Sequence, residues 1–182
     1  MGRSSVLNRL FRPRQARIAG EALYAGLVDQ ARQPQLYHEM GVADRIDARF
    51  ELYVLHLSLL LARLKGEGEA ASETGQAVFD TFLGALDDAL RELGVGDLSV
   101  AKKMRKLGEA VYGRVVGYQT AVIQGDREAL TGLLARAVYG DEAAVEPAGK
   151  LSDYTIVAFA GLKDQRLEDI LRGRLSWSEP TT

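Results

Sequence analysis

No cysteine occurs among the 182 residues of the chain. That one absence excludes disulfides, thiolate zinc sites, iron–sulfur clusters and cysteine nucleophiles. It fits a reducing compartment. Histidine is nearly as scarce, with His38 and His56 the only two. Two imidazoles leave little from which to build a triad or a zinc site, and the paired Glu-x-x-His of a carboxylate di-iron bundle is missing. Long apolar runs are missing too. "LYVLHLSLLLA" (52–62) and "YTIVAFAGL" (154–162) fall well short of the roughly 20 residues that span a bilayer, and core helices explain them better. Net charge is only −2, so the molecule as a whole is no polyanion binder. Sustained period-2 alternation is absent, and turn dipeptides do not recur at strand spacing.

What is present is helical periodicity along the whole chain. With 47% hydrophobic and 26% charged residues, the chain is long enough to bury a real core. The expectation is an all-α, single-domain helical bundle of about six to eight helices with short connections. It divides into a basic amphipathic N-terminal arm (1–14), the helical domain (15–175) and a loose tail (176–182).

The first helix is expected from Gln15 to about Arg32, with Ala19, Leu23, Leu27 and Ala31 inward, and Pro34 stops it. A second main helix is expected from an Asp44 cap to about Lys65, with Ile46, Phe50, Tyr53, Leu57, Leu60 and Leu64 as its core stripe. "KGEGEA" (65–70) is a loop. A third runs from about Glu73 to Leu93 on Val78, Phe79, Phe82 and Leu86. "GVGD" (94–97) breaks it. The fourth carries Val100, Met104, Leu107, Val111, Val115 and Tyr118 to about Gly125. Asp126 caps a short helix to about Tyr139, "GDEAAVEPAG" (140–149) is a polar link, and helices near Leu151–Lys163 and Leu167–Gly173 finish the domain.

The arm holds Arg3, Arg9, Arg12 and Arg14, and no acid precedes Glu21. Val6, Leu7, Leu10 and Phe11 share one helical face. A mitochondrial presequence has this composition. So does an arm that lies on an anionic bilayer. The Ala/Arg/Gly-rich, Lys-poor composition suggests a bacterial chain and favours the arm. Its membrane-surface set is Arg3, Leu7, Arg9, Leu10, Phe11, Arg12 and Arg14.

Tests for chemistry come back empty. His56 sits on the most apolar helix, where a core histidine with a hydrogen-bond partner outweighs a haem ligand. "DDALRE" (87–92) has the look of an aspartate-rich metal motif but lacks a second one. "GVGD" joins two helices, the wrong context for a phosphate loop. "KKMRK" (102–106) is a solvated basic face more readily than a DNA-reading one, and no DNA partner is expected. Gly113 and Gly117, four apart, suggest a close helix crossing. No cofactor, no metal and no catalytic residue is expected.

One stretch is more specific. "DDALRELGVGDLSVAKKMRKLGEAVYGRVVGYQTAV" resembles the central signature of the ubiquinol–cytochrome c chaperone family, the assembly factors for cytochrome b of the bc1 complex. The matching pieces are Asp88, Leu90–Glu92, Gly94–Leu98, Val100, Lys103–Met104, Tyr112–Arg114 and Tyr118. A second block, "LYHEMGVADRIDARFELYVLHLSLLLARL" (36–64), matches at Tyr37, Gly41, Val42, Asp44, Asp47, Arg49, Phe50, His56 and Leu64. The likeness runs from Tyr37 to Tyr139 and weakens after that.

The resemblance implies a non-enzymatic, all-helical chaperone with cytochrome b as client. Mitochondrial members work with a small partner protein and associate with the translating ribosome. For this chain the ribosome contact is carried over only as an open question. The location implied is the cytoplasm near the inner membrane, or the mitochondrial matrix for a eukaryotic chain. The turn at Gly94 and Gly96 would hold two helices so that Arg91, Lys102, Lys103, Tyr112 and Arg114 share one client- or partner-binding surface, with Tyr118 beside them. Arg91 and Arg114 have a competing reading as internal ion-pair partners of Asp88, Asp97 or Asp47. The rival function is a helical carrier of a lipid or other apolar ligand.

Overall fold

The computed structural model describes the backbone of residues 3–92 and 97–180, and side chains at 14–92, 100 and 103–180. The described residues are helical and contain no strand. In chain order the helices are α1 (Arg3–Ala31), α2 (Pro34–His38), α3 (Ile46–Leu64), α4 (Glu69–Glu92), α5 (Asp97–Gln124), α6 (Arg127–Leu134), α7 (Val145–Asp164) and α8 (Leu167–Ile170). A π-helical turn, Ala135–Tyr139, extends α6.

Helix α3 is the axis. Leu52, Val54, Leu55, His56, Leu57, Ser58, Leu59 and Leu60 are all buried, which is the pattern of a helix enclosed on every side. It packs against α1, α4, α5 and α7. Helix α1 lays Ala19, Leu23, Leu27 and Ala31 into the core as its periodicity predicts. It runs unbroken from Arg3, so the residues expected as an arm and the helix after them form one element.

Several details differ from expectation. Asp44 does not cap α3. The helix starts at Ile46 after Arg45, and Asp44 instead accepts a hydrogen bond from Arg49 Nε. Ile46 is 83% exposed rather than in the core stripe, while Ala48 in the same turn is buried. Helix α7 starts at Val145, inside the expected link. Pro147 does not prevent this, since a first-turn N–H has no intrahelical acceptor. Asp126 does cap α6, accepting from the Ala129 amide at 2.9 Å.

The close crossing is not where the Gly113/Gly117 spacing puts it. A Cβ at Gly113 would meet open space, and one at Gly117 would meet Leu133 at an ordinary 3.5 Å. The tight approach is between α1 and α4, where a Cβ on Gly20 would lie 2.8 Å from Ala77 backbone.

The tail is not loose over 176–180. Gly173 takes φ +78° and turns the chain back against Ala19 and Ala22 of α1. Gln165 then grips Ser176 twice, donating from Nε2 to its carbonyl and accepting its amide, each at 2.8 Å. Gln30 Nε2 donates to Ser178 O at 2.8 Å. Trp177 meets His56 edge-on with ring centroids 5.2 Å apart. Pro180 is buried. Side-chain amides tie down this polar segment in place of backbone pairing.

Candidate functional site

Helix α5 carries most of the residues expected to act together, and the structure divides them. Tyr112 and Arg114 lie two positions apart, about 200° around the helix. They therefore face opposite ways. Tyr112 is 66% exposed and looks onto a groove against α4. Arg114 turns to α3. Lys103 is exposed, and helical geometry puts it on the Arg114 side, about three turns upstream. Arg91, at the end of α4, bonds Asp87 Oδ2 through Nε at 2.6 Å. The Lys102 side chain lies outside the described residues, as do those of Arg3, Leu7, Arg9, Leu10, Phe11 and Arg12. Arg14 is exposed. Tyr118 departs from the expected surface, being 1% exposed beneath it.

Arg114 is an internal ion-pair partner, though of a residue that the sequence did not single out. Its Nε lies 2.9 Å from Glu51 Oε2. The Glu51 side chain is 7% exposed and that of Arg114 is 36% exposed. The contact is an ion pair without hydrogen-bond geometry, since this buried oxygen has no hydrogen-bond partner in the protein. The Tyr118 hydroxyl is buried and lacks one too. Burial pushes the Glu51 carboxyl up to about 7; Arg114 opposes the shift and Asp47 adds to it. Burial also pushes the Tyr118 phenol well above its ordinary value, with Glu51 adding and Arg114 and Arg136 opposing. A glutamate in the apolar run "RFELYVLHL" was the available signal.

On its other side α5 exposes Tyr112, Val116 and Ile123, the latter two 44% and 52% exposed. Their spacing of four and seven keeps them along one edge of the helix. Tyr112 and Val116 form one wall of an open groove of about 460 Å³, whose other lining includes Leu61, Leu64, Gly75 and Phe79. Gly75 leaves the wall low, since its missing Cβ would sit 3.4 Å from Leu61. Lys65 lines this groove and also the next depression, which holds Ile123, Phe159 and Lys163.

Elsewhere among the described residues, Gln35 Oε1 and the Trp177 indole N–H are also buried without a hydrogen-bond partner, whereas His56 is fully bonded. His56 donates from Nδ1 to Leu52 O at 2.8 Å, so Nε2 accepts from the Tyr154 hydroxyl at 2.7 Å. Gln30 Nε2 in turn donates to that hydroxyl at 2.8 Å. Burial holds the imidazole down at about 4, the bond to Leu52 only partly opposing it, so the ring is neutral. This is the core histidine the sequence favoured. Among the described residues no group of three or more His, Asp or Glu is placed to hold a metal ion. No helix among them is long and apolar enough to cross a membrane.

Comparison with known proteins adds three findings. A family model described as "Ubiquinol-cytochrome C chaperone" matches residues 38–177. Over 111 residues the chain is 22% identical to the ubiquinol-cytochrome-c reductase complex assembly factor 1 of Xenopus laevis, covering 61% of this chain. That match spans 56% of the length of the frog protein. The crystal structure of the Cbp3 homolog from Brucella abortus superposes with a TM-score of 0.85 at 32% identity, covering 96% of this chain and 97% of the other.

Proposed function

The chain belongs to the ubiquinol–cytochrome c chaperone family, and from that premise we propose that it is a non-catalytic assembly chaperone which binds cytochrome b, or its nascent chain, while the bc1 complex is built. The observation that carries the reading is the unfinished state of α5. It leaves Tyr112, Val116 and Ile123 outside the bundle beside an open apolar groove. A chaperone for a membrane protein needs such a surface, ringed by charge that sets register. Lys103 adds charge near the start of α5 on the Arg114 side, Arg91 is held by Asp87 at the end of α4, and Lys102 is assigned near them by sequence. Arg114 and Tyr118 act from beneath, by fixing α5 against α3.

The place of action is the cytoplasmic surface of the inner membrane. The basic arm, Arg3 to Arg14, is the contact with anionic lipid, where each cation contributes about 1 kcal/mol. The lipid-carrier alternative is less well supported, because leucines at zero exposure (Leu27, Leu36, Leu52, Leu57) fill the bundle between its helices. The test is capture of the tagged protein from its host after in-cell crosslinking, probed for cytochrome b, with and without residues 1–14. Recovery of cytochrome b supports the reading. No recovery from a cell that makes the bc1 complex overturns it. Loss of recovery only without the arm assigns the arm to membrane or client contact.

A further inference from the structure

Two neighbouring depressions along α5 share Lys65 and differ in the rest of their lining. The one beside Tyr112 is lined mainly by apolar side chains, Phe79 among them, with the neutral polar Gln76 and Gln119. At the Ile123 end stand two lysines, Lys65 and Lys163. Neither makes an ion pair among the described residues. The acid that lines the same depression, Glu67, is already held by Arg63 at 2.9 Å, and Lys163 rests over the Phe159 ring at 5.9 Å. Arg63 itself is committed to the carbonyls of Leu162 and Gln165. The surplus charge at this end is therefore positive, and it sits where the apolar edge stops.

Tyr112 to Ile123 covers three helical turns, about 17 Å. Exposed residues at helical spacing make a ridge, and the complement of a ridge is the groove of another helix. An acyl chain would lie in this open trough with much of its surface wet, unlike a ligand in an enclosing pocket. The geometry points to a docking seat for one apolar helix of a client polypeptide, about three turns long, with acidic side chains at the end that meets Lys65 and Lys163. This rests on the client-binding reading above and adds the face, the orientation and the charge of what is bound.

The test uses the full chain and two labelled synthetic helices of about 15 residues, about four turns, so that the three-turn seat is spanned with the charged end beyond it. Both are built from leucine and alanine. One ends in two aspartates and the other in two lysines. Fluorescence anisotropy is read at about 50 mM and about 300 mM salt. The acidic-ended helix should bind about tenfold more tightly than the basic-ended one at low salt, and the gap should shrink at high salt. Lys65→Glu with Lys163→Glu should abolish or reverse the gap. Val116→Glu should weaken both helices. All these sites are exposed, and an unchanged melting temperature checks that each variant folds.

Equal binding of the two helices overturns the proposal. So does a gap that survives the lysine reversals, binding indifferent to Val116→Glu, or displacement by oleate with no effect of an unlabelled acidic-ended helix. The client reading fails separately. If the wild type and the double lysine variant capture cytochrome b equally from cells, the charged seat is wrong and the client reading stands. If the wild type captures none while the peptides still discriminate, the seat stands without that client.

Discussion

Helix α3 carries two buried titratable side chains five residues apart, and they have opposite fates. His56 looks towards α7 and the C-terminal strap, where Leu52, Tyr154, Gln30 and Trp177 enclose it. Both of its nitrogens are bonded. Glu51 looks towards α5, where an oxygen of its carboxylate and the Tyr118 hydroxyl lack hydrogen-bond partners and a part-exposed arginine is its ion pair. The α7 side is closed save for the indole N–H of Trp177. The α5 side is unfinished in its polar groups, and its exposed Tyr112 and Val116 line a groove. Buried polar groups that are fully bonded stiffen a fold. Regions with fewer satisfied contacts supply the surfaces that bind and move. On the reading proposed above, α5 is the client-facing helix and α7 with the C-terminal tail is its support.

The contrast can be broken first at Tyr154. Tyr154→Phe removes a hydroxyl that serves both His56 and Gln30. It should cost about 2–3 kcal/mol in urea unfolding, because buried His56 Nε2 loses its partner and Gln30 Nε2 loses one of its two. A cost near zero would mean the closed side is closed only in appearance.

Next is Arg114→Ala, which leaves Glu51 buried without its cation. The expected loss is about 1–2 kcal/mol at pH 8, less than for a fully buried pair because solvent screens Arg114. Near pH 5 Glu51 is protonated and the loss should largely vanish. A loss equal at both pH values would remove Glu51 from the explanation.

The two acid–base groups also pull stability in opposite directions. The folded-state value of Glu51, about 7, lies above its ordinary 4.5. Its contribution is thus full below pH 4.5 and lost as pH rises through about 7. The folded-state value of His56, about 4, lies below its ordinary 6.5. Its contribution is full above pH 6.5 and lost as pH falls towards 4. Glu51→Gln should therefore flatten the alkaline side of the stability profile, by about 2 kcal/mol between pH 5 and pH 8, and leave the acid side alone. Flattening on the acid side would contradict the assignment. The smallest effect belongs to Tyr118→Phe. It deletes a hydroxyl that has no partner and should change stability by no more than about 0.5 kcal/mol. A loss as large as that of Tyr154→Phe would erase the difference between the two sides.

The helices were legible because each writes its own period into the chain. Ala19, Leu23, Leu27 and Ala31 are buried as their spacing requires, and "LYVLHLSLLLA" is the enclosed axis that its unbroken apolarity suggests. Contacts between distant segments were not legible. Trp177 stands alone in a polar stretch, and nothing near it in sequence announces His56. Gly20 looks no different from Gly113, yet only Gly20 lies against another backbone. For the candidate site, Tyr112, Arg114 and Tyr118 were found by resemblance, but resemblance carries no orientation. Helical rotation separates Tyr112 from Arg114 and buries Tyr118. Lys65 and Ile123 went unnoticed, since an exposed lysine in a loop and one isoleucine on a helix gain meaning only when the groove joins them.

The central claim is that the α5 face, and not the α7 face, receives the client. It is tested most directly by a photo-crosslinking side chain placed at Val116 in one strain and at Val157, an exposed valine of α7, in another. Irradiation of cells that are making the bc1 complex should give a cytochrome b adduct from position 116 and little or none from 157. An adduct from 157 with none from 116 would contradict the account.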